Sequence, residues 1–212
     1  MKLNIISIAS GIEKTYVHNN NIFKSSYKKD EFYNYIDVNK YGILNDNQSD
    51  KIYHGGIDKA IHIGSANHFN RFKGIDKLSF GCNIFVDNVD EGDINVGDLY
   101  NIGDILIEVS QPRQPCWKIE AIFDKSILRY IQEEHAVGWY VRVISEGIID
   151  INDDMILKNR VSDISIKQLS IYLKQPPTDV ELINKIMNMD VISKSYKDSF
   201  IKACHKLNKE GN

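Results

Sequence analysis

The sequence predicts a mainly β fold with α additions: a barrel-like domain over residues 1–162, then a small three-helix unit over residues 163–212. Three observations carry this. Up to about residue 160, short β-branched apolar runs are broken by Gly, Asn and Asp. Strands this short at this spacing suit a barrel or a closed sandwich. Two stretches with helical spacing interrupt them, and after Asp163 the strand pattern stops altogether.

Ile5–Ala9 is the first strand, and 34–39 another. Ile61–Ile63, Leu99–Ile102, Ile105–Val109, Tyr140–Ser145 and Met155–Leu157 follow. Gly97–Asp98, Gly103–Asp104 and 152–154 (Asn-Asp-Asp) are turn signals between them. Ala66–Phe72 and Asp124–Glu134 read as helices, the second with Ile127, Leu128 and Ile131 on one face. Beyond 163, Ser165 can cap a first helix that Pro176–Pro177 closes off, Thr178 with Glu181 makes a capping box for a second, and Ser193 can cap a third. Cys204 falls on the apolar face of the third helix, so a structural role is expected for it.

Composition excludes several classes. The 212 residues are 42% hydrophobic and 26% charged, which suits one domain with an appendage. A net charge of −3 leaves no basic footprint for nucleic acid. No apolar run is long enough to span a bilayer, and the N-terminus lacks the apolar core of a secretory signal, so a cytoplasmic protein with no membrane partner is expected. Three scattered cysteines fit reduced thiols, and the lack of a CxxC pair argues against a thiol-only metal site.

The densest chemical signal is Ser110–Gln111–Pro112–Arg113–Gln114–Pro115–Cys116–Trp117–Lys118, which holds two of the chain's four prolines. Proline fixes its own φ and extends the residue before it, so the segment is expected to be a stiff loop outside any central strand. Such a loop can present a thiolate to a metal or anion; an inert buried cysteine remains the alternative. In a second cluster, His54–Gly55–Gly56 and Lys59, paired glycines let backbone amides approach an anion. An ordinary turn is the alternative there. His62 alternates with Ile61 and Ile63 and reads as a satisfied strand histidine, and Arg142 as a solvent-facing one. No P-loop, HExxH or dinucleotide fingerprint appears.

Taken in order, Asn47–Gln48–Ser49–Asp50, then His54 through His62, Phe80–Gly81–Cys82–Asn83–Ile84, Val96–Gly97–Asp98, the Pro-bracketed Cys116 segment and Val137–Gly138–Trp139–Tyr140 resemble the MOSC (molybdenum cofactor sulfurase C-terminal) domain, in its YiiM-like branch. The resemblance covers essentially the whole chain. The chain departs from it at Cys82, where the family usually has glutamate, and at Asn45–Asp46, where it usually has Gly-Asp.

The resemblance implies a β-barrel-like domain that binds the molybdenum cofactor, a molybdopterin, with molybdenum held by the Cys116 thiolate. Pyridoxal phosphate is not expected. A soft thiolate is a suitable donor, and Arg113 and Lys118 nearby favour its charged form. His54, Gly55, Gly56, Lys59 and Arg113 make a sensible clamp for the cofactor phosphate. Asn83 can hydrogen-bond the pterin, and Trp117 can form a packing wall. The implied reaction is two-electron reduction of an N-hydroxylated compound, such as 6-hydroxylaminopurine, a detoxification. With no iron–sulfur cysteine pattern, electrons are expected from a separate flavin or iron–sulfur reductase. The helices are expected to cover the barrel and engage that donor or a second copy in a homodimer, without touching the metal site. Two other readings stay open: a sulfur carrier with a persulfide on Cys116, and a non-catalytic molybdopterin-binding module.

Overall fold

Alternation along the first strand sets the architecture. β1 (Lys2–Ser10) buries Leu3, Ile5 and Ile8 while Lys2, Asn4 and Ile6 face out, as a half-buried strand must. A computed structural model gives the structure, and it describes residues 1–46, 55–72 and 76–210. The elements that follow are β2 (Lys14–His18), β3 (Asn21–Ser25), β4 (Glu31–Tyr33), β5 (Tyr35–Asn39), β6 (Gly42–Ile43), β7 (Ile61–Ser65), α1 (Asn67–Arg71) and β8 (Ile84–Val86). Then come β9 (Leu99–Ile102), β10 (Ile105–Pro112), α2 (Lys118–Ile122), α3 (Lys125–Glu133), β11 (Trp139–Ser145), β12 (Gly147–Asp150) and β13 (Asp154–Asn159). The chain finishes with α4 (Ile166–Tyr172), α5 (Val180–Asn188) and α6 (Lys194–Glu210).

Seven strands close into a barrel in the order β13-β9-β10-β11-β7-β8-β1, with Leu3 opposite Met155 at the closing seam. β4 pairs with the far end of β1, and β7 with β8 in parallel. Closure removes the sheet edges that would otherwise invite pairing with other chains. The interior is filled by residues such as Ile63, Ile84, Ile107, Val109 and Val141, all 0% exposed. Each such side chain contributes roughly 1.5–3 kcal/mol relative to an exposed one.

A second apolar cluster joins α4, α5 and α6 through Leu169, Ile186, Tyr196 and Phe200, together with Val96 and Ile164. Ser165 caps α4 in a capping box with Gln168. Asp179, not Thr178, caps α5, because its carboxylate accepts from the backbone N–H groups of Glu181 and Leu182. Ser193 Oγ accepts from Tyr196 N–H at the start of α6.

Two features depart from the sequence reading. β10 continues through Ser110, Gln111 and Pro112, so the first third of the Pro-bracketed segment is barrel strand. Pro112 is tolerated because it is the strand's last residue, opposite Trp139. The second feature is the hairpin β2–β3, whose turn residues Asn19 and Asn20 have φ of 48° and 62°. Two successive left-handed residues form the tight turn that matches strand twist, and asparagine adopts that conformation more readily than most.

A cation-lined cavity beside Cys116

A register shift in β10 aims the site. Between Val109 and Gln111 the β10–β11 pairing slips, leaving Ser110 unpaired across the ladder. Its hydroxyl donates instead to Asp58 O (2.5 Å) and Tyr140 O (3.0 Å). The chain then leaves the barrel through Arg113 and Gln114, and Cys116 comes just before the short helix α2.

Cys116, Arg113, Lys59, Asn83 and Lys118 line one cavity with an empty volume of about 640 Å³, part of it open to solvent. Gly55 and Gly56 are not among its lining residues. Gly56, with φ 89° and ψ 172°, begins the short turn Ile57–Lys59 rather than adopting the alternating helical conformations of an anion nest. His54 and Asn47–Asp50 lie outside the described residues.

Arg113 is the unusual group. It is 6% exposed, and among the described residues it has no carboxylate partner. Its Nη1 donates to Phe80 O (3.2 Å), and the guanidinium lies 4.6 Å from the centroid of the Tyr27 ring. A guanidinium has five N–H donors, so the Phe80 carbonyl and a hydrogen bond to the Tyr27 hydroxyl leave it under-used for a buried cation. Burial alone works against its charge, but the neighbouring phenols and thiols of Tyr27, Tyr140, Cys116 and Cys82 keep Arg113 above the ordinary arginine value.

The other cations are placed differently. Lys29 pairs with Asp46 (2.6 Å), both nearly buried, and Asp46 also accepts from Gly11 N–H (2.9 Å). Burial pushes Lys59 below the usual lysine value, with Asp58 acting in the opposite sense. Lys118 Nζ donates to Lys24 O (3.1 Å). With Arg113, Lys29, Lys59 and Lys118 against Asp46, the cavity is strongly cationic although the whole chain is acidic.

Asn83 lines the cavity but is already engaged. Its Oδ1 accepts from His62 N–H (3.1 Å) and its Nδ2 donates to Ala9 O (3.2 Å), tying β7 to β1. Cys82 is not a lining residue. It is 2% exposed and packs against Gly64, where a Cβ would come within 2.5 Å of its sulfur. Burial pushes that thiol far above the usual cysteine range, so it is an inert core group. Asn45 has φ 67°, a conformation that glycine adopts freely and asparagine tolerates, which accounts for the second departure from the family pattern. Trp117 is 54% exposed, its ring edge against Phe23, so it forms no buried wall. Arg142 is not a free surface group: it bonds Asp58 (2.6 Å), Glu108 (2.6 Å) and Val191 O (2.8 Å).

Sequence reasoning missed Ser25, Ser26 and Tyr27, which enter the cavity directly after the unforeseen hairpin, and assigned no role to Lys29 or Tyr140. The Asn19–Asn20–Asn21 run, with Val17 and Ile22 on either side of His18 and the run, was the available signal.

His62 is buried with Nδ1 3.2 Å from Gly81 O and Nε2 3.1 Å from Val137 O. Burial first, then the Arg113 charge, push its pKa down to about 3, against the Gly81 and Val137 carbonyls, which favour the protonated ring. The folded protein therefore holds His62 neutral, while the unfolded chain protonates it below pH about 6.5. Stability is expected to be unaffected by this group above pH 6.5 and to fall as pH drops toward 3, by at most about 1.4 kcal/mol per pH unit. Urea titrations at pH 7 and 5 check this. His62→Gln should flatten the slope, and an equal slope in both proteins would exclude His62 as its source.

Gly138 supports the same floor. It has φ 66°, and a Cβ there would meet Ile63 O at 2.5 Å and His62 Nε2 at 2.6 Å. Gly138→Ala is expected to cost about 2 kcal/mol or more, measured by denaturant titration, because both the conformation and the space require glycine. A loss below about 0.5 kcal/mol would contradict that packing.

α6 also reaches the site, contrary to expectation. Ser195 and Ser199 line a cavity that shares Cys116, Lys59 and Tyr140 with the first. The reason is the seam between α6 and the end of β10, where Ser193 N–H donates to Ser110 O (3.2 Å) and Ser193 Oγ to Gln111 Oε1. Among the described residues no helix is long and apolar enough to cross a membrane.

The MOSC domain family profile matches residues 50–156. Protein YiiM of Escherichia coli (strain K12) is 30% identical over 168 residues, 75% of each chain. A protein named reductase from Gibberella moniliformis (strain M3125 / FGSC 7600) is 31% identical over 130 residues, 56% of this chain and 23% of that one. The crystal structure of YiiM from Geobacillus stearothermophilus aligns with a TM-score of 0.76 at 26% identity, covering 95% of this chain and 98% of that one.

Proposed function

This chain belongs to the MOSC domain family, and from that premise we propose that it is a molybdenum-cofactor-dependent reductase of N-hydroxylated compounds, with Cys116 the protein's ligand to molybdenum. One observation carries the reading furthest. A buried guanidinium with no carboxylate partner among the described residues shares a cavity with a half-buried thiol. A group with a phosphate at one end and a thiolate-binding metal at the other satisfies both, so the residues present fit the molybdenum cofactor. The fungal relative's name supports an oxidoreductase.

When bound, the cofactor supplies the two-electron change that cleaves the N–O bond. The chain's own residues do the rest. Arg113 and Lys118 hold the anionic end through charge-assisted bonds. Cys116 anchors the metal, and the barrel wall at His62 and Tyr140 closes one side from water. The balance is R–NHOH with two electrons and two protons, giving R–NH2 and water. Lys59 lines both cavities that share Cys116, and burial makes it a better acid than an exposed lysine, so we assign it one of the two protons. The electrons come from a separate flavin or iron–sulfur reductase.

The test is protein made in a host that synthesises the cofactor. Near-stoichiometric molybdenum and pterin, with reduction of 6-hydroxylaminopurine by a reduced viologen, are expected. Protein without molybdenum under those conditions would overturn the assignment.

A further inference from the structure

A third cavity, with an empty volume of about 470 Å³ partly open to solvent, has the Cys116 loop as a wall but not Cys116 itself. Arg113, Gln114 and Pro115 form that wall. Gln132, near the end of α3, forms a second, and Ser170, Leu173 and Lys174, at the end of α4, a third. Gln114 and Pro115 also line a cavity that contains Cys116, so the loop is a partition between two compartments.

The charge of this cavity is one-sided. No carboxylate lines it, and Lys174 does. Lys174 Nζ donates to Gln132 O (3.0 Å), one neutral acceptor for a group with three donor hydrogens. Lys167, on α4, adds to the same field. Burial first, then Lys174 and Lys167, against Glu91 and Glu134, hold His135 below the usual histidine value. His135 Nδ1 lies 2.9 Å from Ser170 Oγ, so that field falls on the polar end of the cavity. Among the described residues neither lysine makes an ion pair, and the Gln132 carboxamide makes no hydrogen bond. The opposite side is apolar and is made by Pro115, Val137 and Leu173. A bare anion would meet the lysine and leave that side wet. A neutral ring would cover it and leave the charge unmet.

We propose that this cavity is a second ligand site, for a small carboxylate with a flat apolar body. Lys174, Ser170 and Gln132 take the carboxylate, and Pro115, Val137 and Leu173 take the body. The site stands on its own lining and needs no part of the reductase reading. Its ligand rests on Pro115, so occupancy restrains the loop and lowers the access of reagents to Cys116.

The experiment titrates the full chain by calorimetry with two probes, benzoate and acetate. Benzoate is expected to bind with a Kd of about 1 mM or tighter. Acetate has no ring for the apolar side and should bind at least about 10-fold more weakly. Lys174→Glu and Gln132→Glu should each weaken benzoate at least about 10-fold, through loss of a charge-assisted contact and repulsion. Lys174 is exposed and Gln132 half-buried, so both variants should fold. Lys118→Ala, in the first cavity, should leave benzoate affinity within about twofold. Saturating benzoate should slow alkylation of Cys116 by iodoacetamide about 5-fold or more in wild type, followed on the Cys116 peptide by mass spectrometry, and should have no effect in Lys174→Glu. No benzoate binding at about 10 mM, or acetate binding as tightly, would overturn the site. So would benzoate binding that Lys118→Ala weakens, or that Lys174→Glu and Gln132→Glu leave intact. Binding with unchanged alkylation of Cys116 would overturn the link to the loop.

Discussion

Cys116→Ala protein, made alongside wild type in a host that synthesises the molybdenum cofactor, is expected to lose essentially all of its molybdenum and all reductase activity. Partners of metal ligands one bond removed typically change affinity about 10–100-fold, so loss of the ligand itself should exceed that. Among the described residues Cys82 is the nearest alternative thiol in function, but it is sealed in the core against Gly64 and does not line the cavity. Cys204 packs against the helical cluster. Neither can substitute. The fold should survive, because Cys116 is half-buried on a loop and its truncation removes one sulfur; a stability change within about 1 kcal/mol is expected. Elemental analysis and a urea titration on the same samples check both statements. Equal molybdenum in the two proteins would remove Cys116 as ligand, and unfolding of the variant would make the cysteine structural.

Arg113→Met is expected to abolish pterin retention while leaving the cofactor-free protein as stable as wild type or more so. The sign of the second effect is the informative part. A buried cation with no carboxylate partner among the described residues carries a desolvation cost in the empty fold, because Tyr27, Tyr140 and Cys82 favour its charge only as anions and burial keeps them neutral; an apolar side chain of similar length removes that cost. The cation becomes useful when an anion arrives, because each charge-assisted bond from the guanidinium contributes about 1.5–3 kcal/mol. Pterin fluorescence after denaturation measures the first effect, and unfolding of protein made without cofactor the second. If Arg113→Met keeps its pterin and loses several kcal/mol of stability, the arginine serves the fold through Phe80 O and the Tyr27 ring, and the phosphate site lies elsewhere.

Much of the barrel was legible because its strands obey a two-residue period. Leu99–Ile102 was read with its observed bounds, and β1, β5, β7, β10, β11 and β13 were each found to within a few residues. The helices α3 and α4 were legible for the matching reason, a recurring apolar face with a capping side chain at its start; Asp124 and Ser165 both cap as their residue types allow. What escaped was short or depended on contacts. β8 has three residues, too few for a period to show. The β2–β3 hairpin exposes Val17 and Ile22, so no buried face announced it. α2, five residues beginning two after Cys116, is shorter than any periodic signal.

The site divides along the same line. The sequence alone determined where reactive residue types cluster: the single thiol in a proline-stiffened stretch, with Arg113 and Lys118 within three residues of it, and the positions where the chain departs from its family. Those are properties of residue type and local backbone restraint. Tertiary structure decided what these residues could do. It buried Arg113 without a carboxylate partner among the described residues, engaged Asn83 in tying strands together, sealed Cys82 in the core, and left Gly55 and Gly56 off the cavity wall. It also brought Ser195 and Ser199, some eighty residues distant in sequence, to the thiol. Burial and proximity follow from closing a seven-stranded ring and docking a helix on its end. Neither leaves a periodicity in the chain, since charge, desolvation and hydrogen-bond partners are set by residues that meet only when the barrel closes.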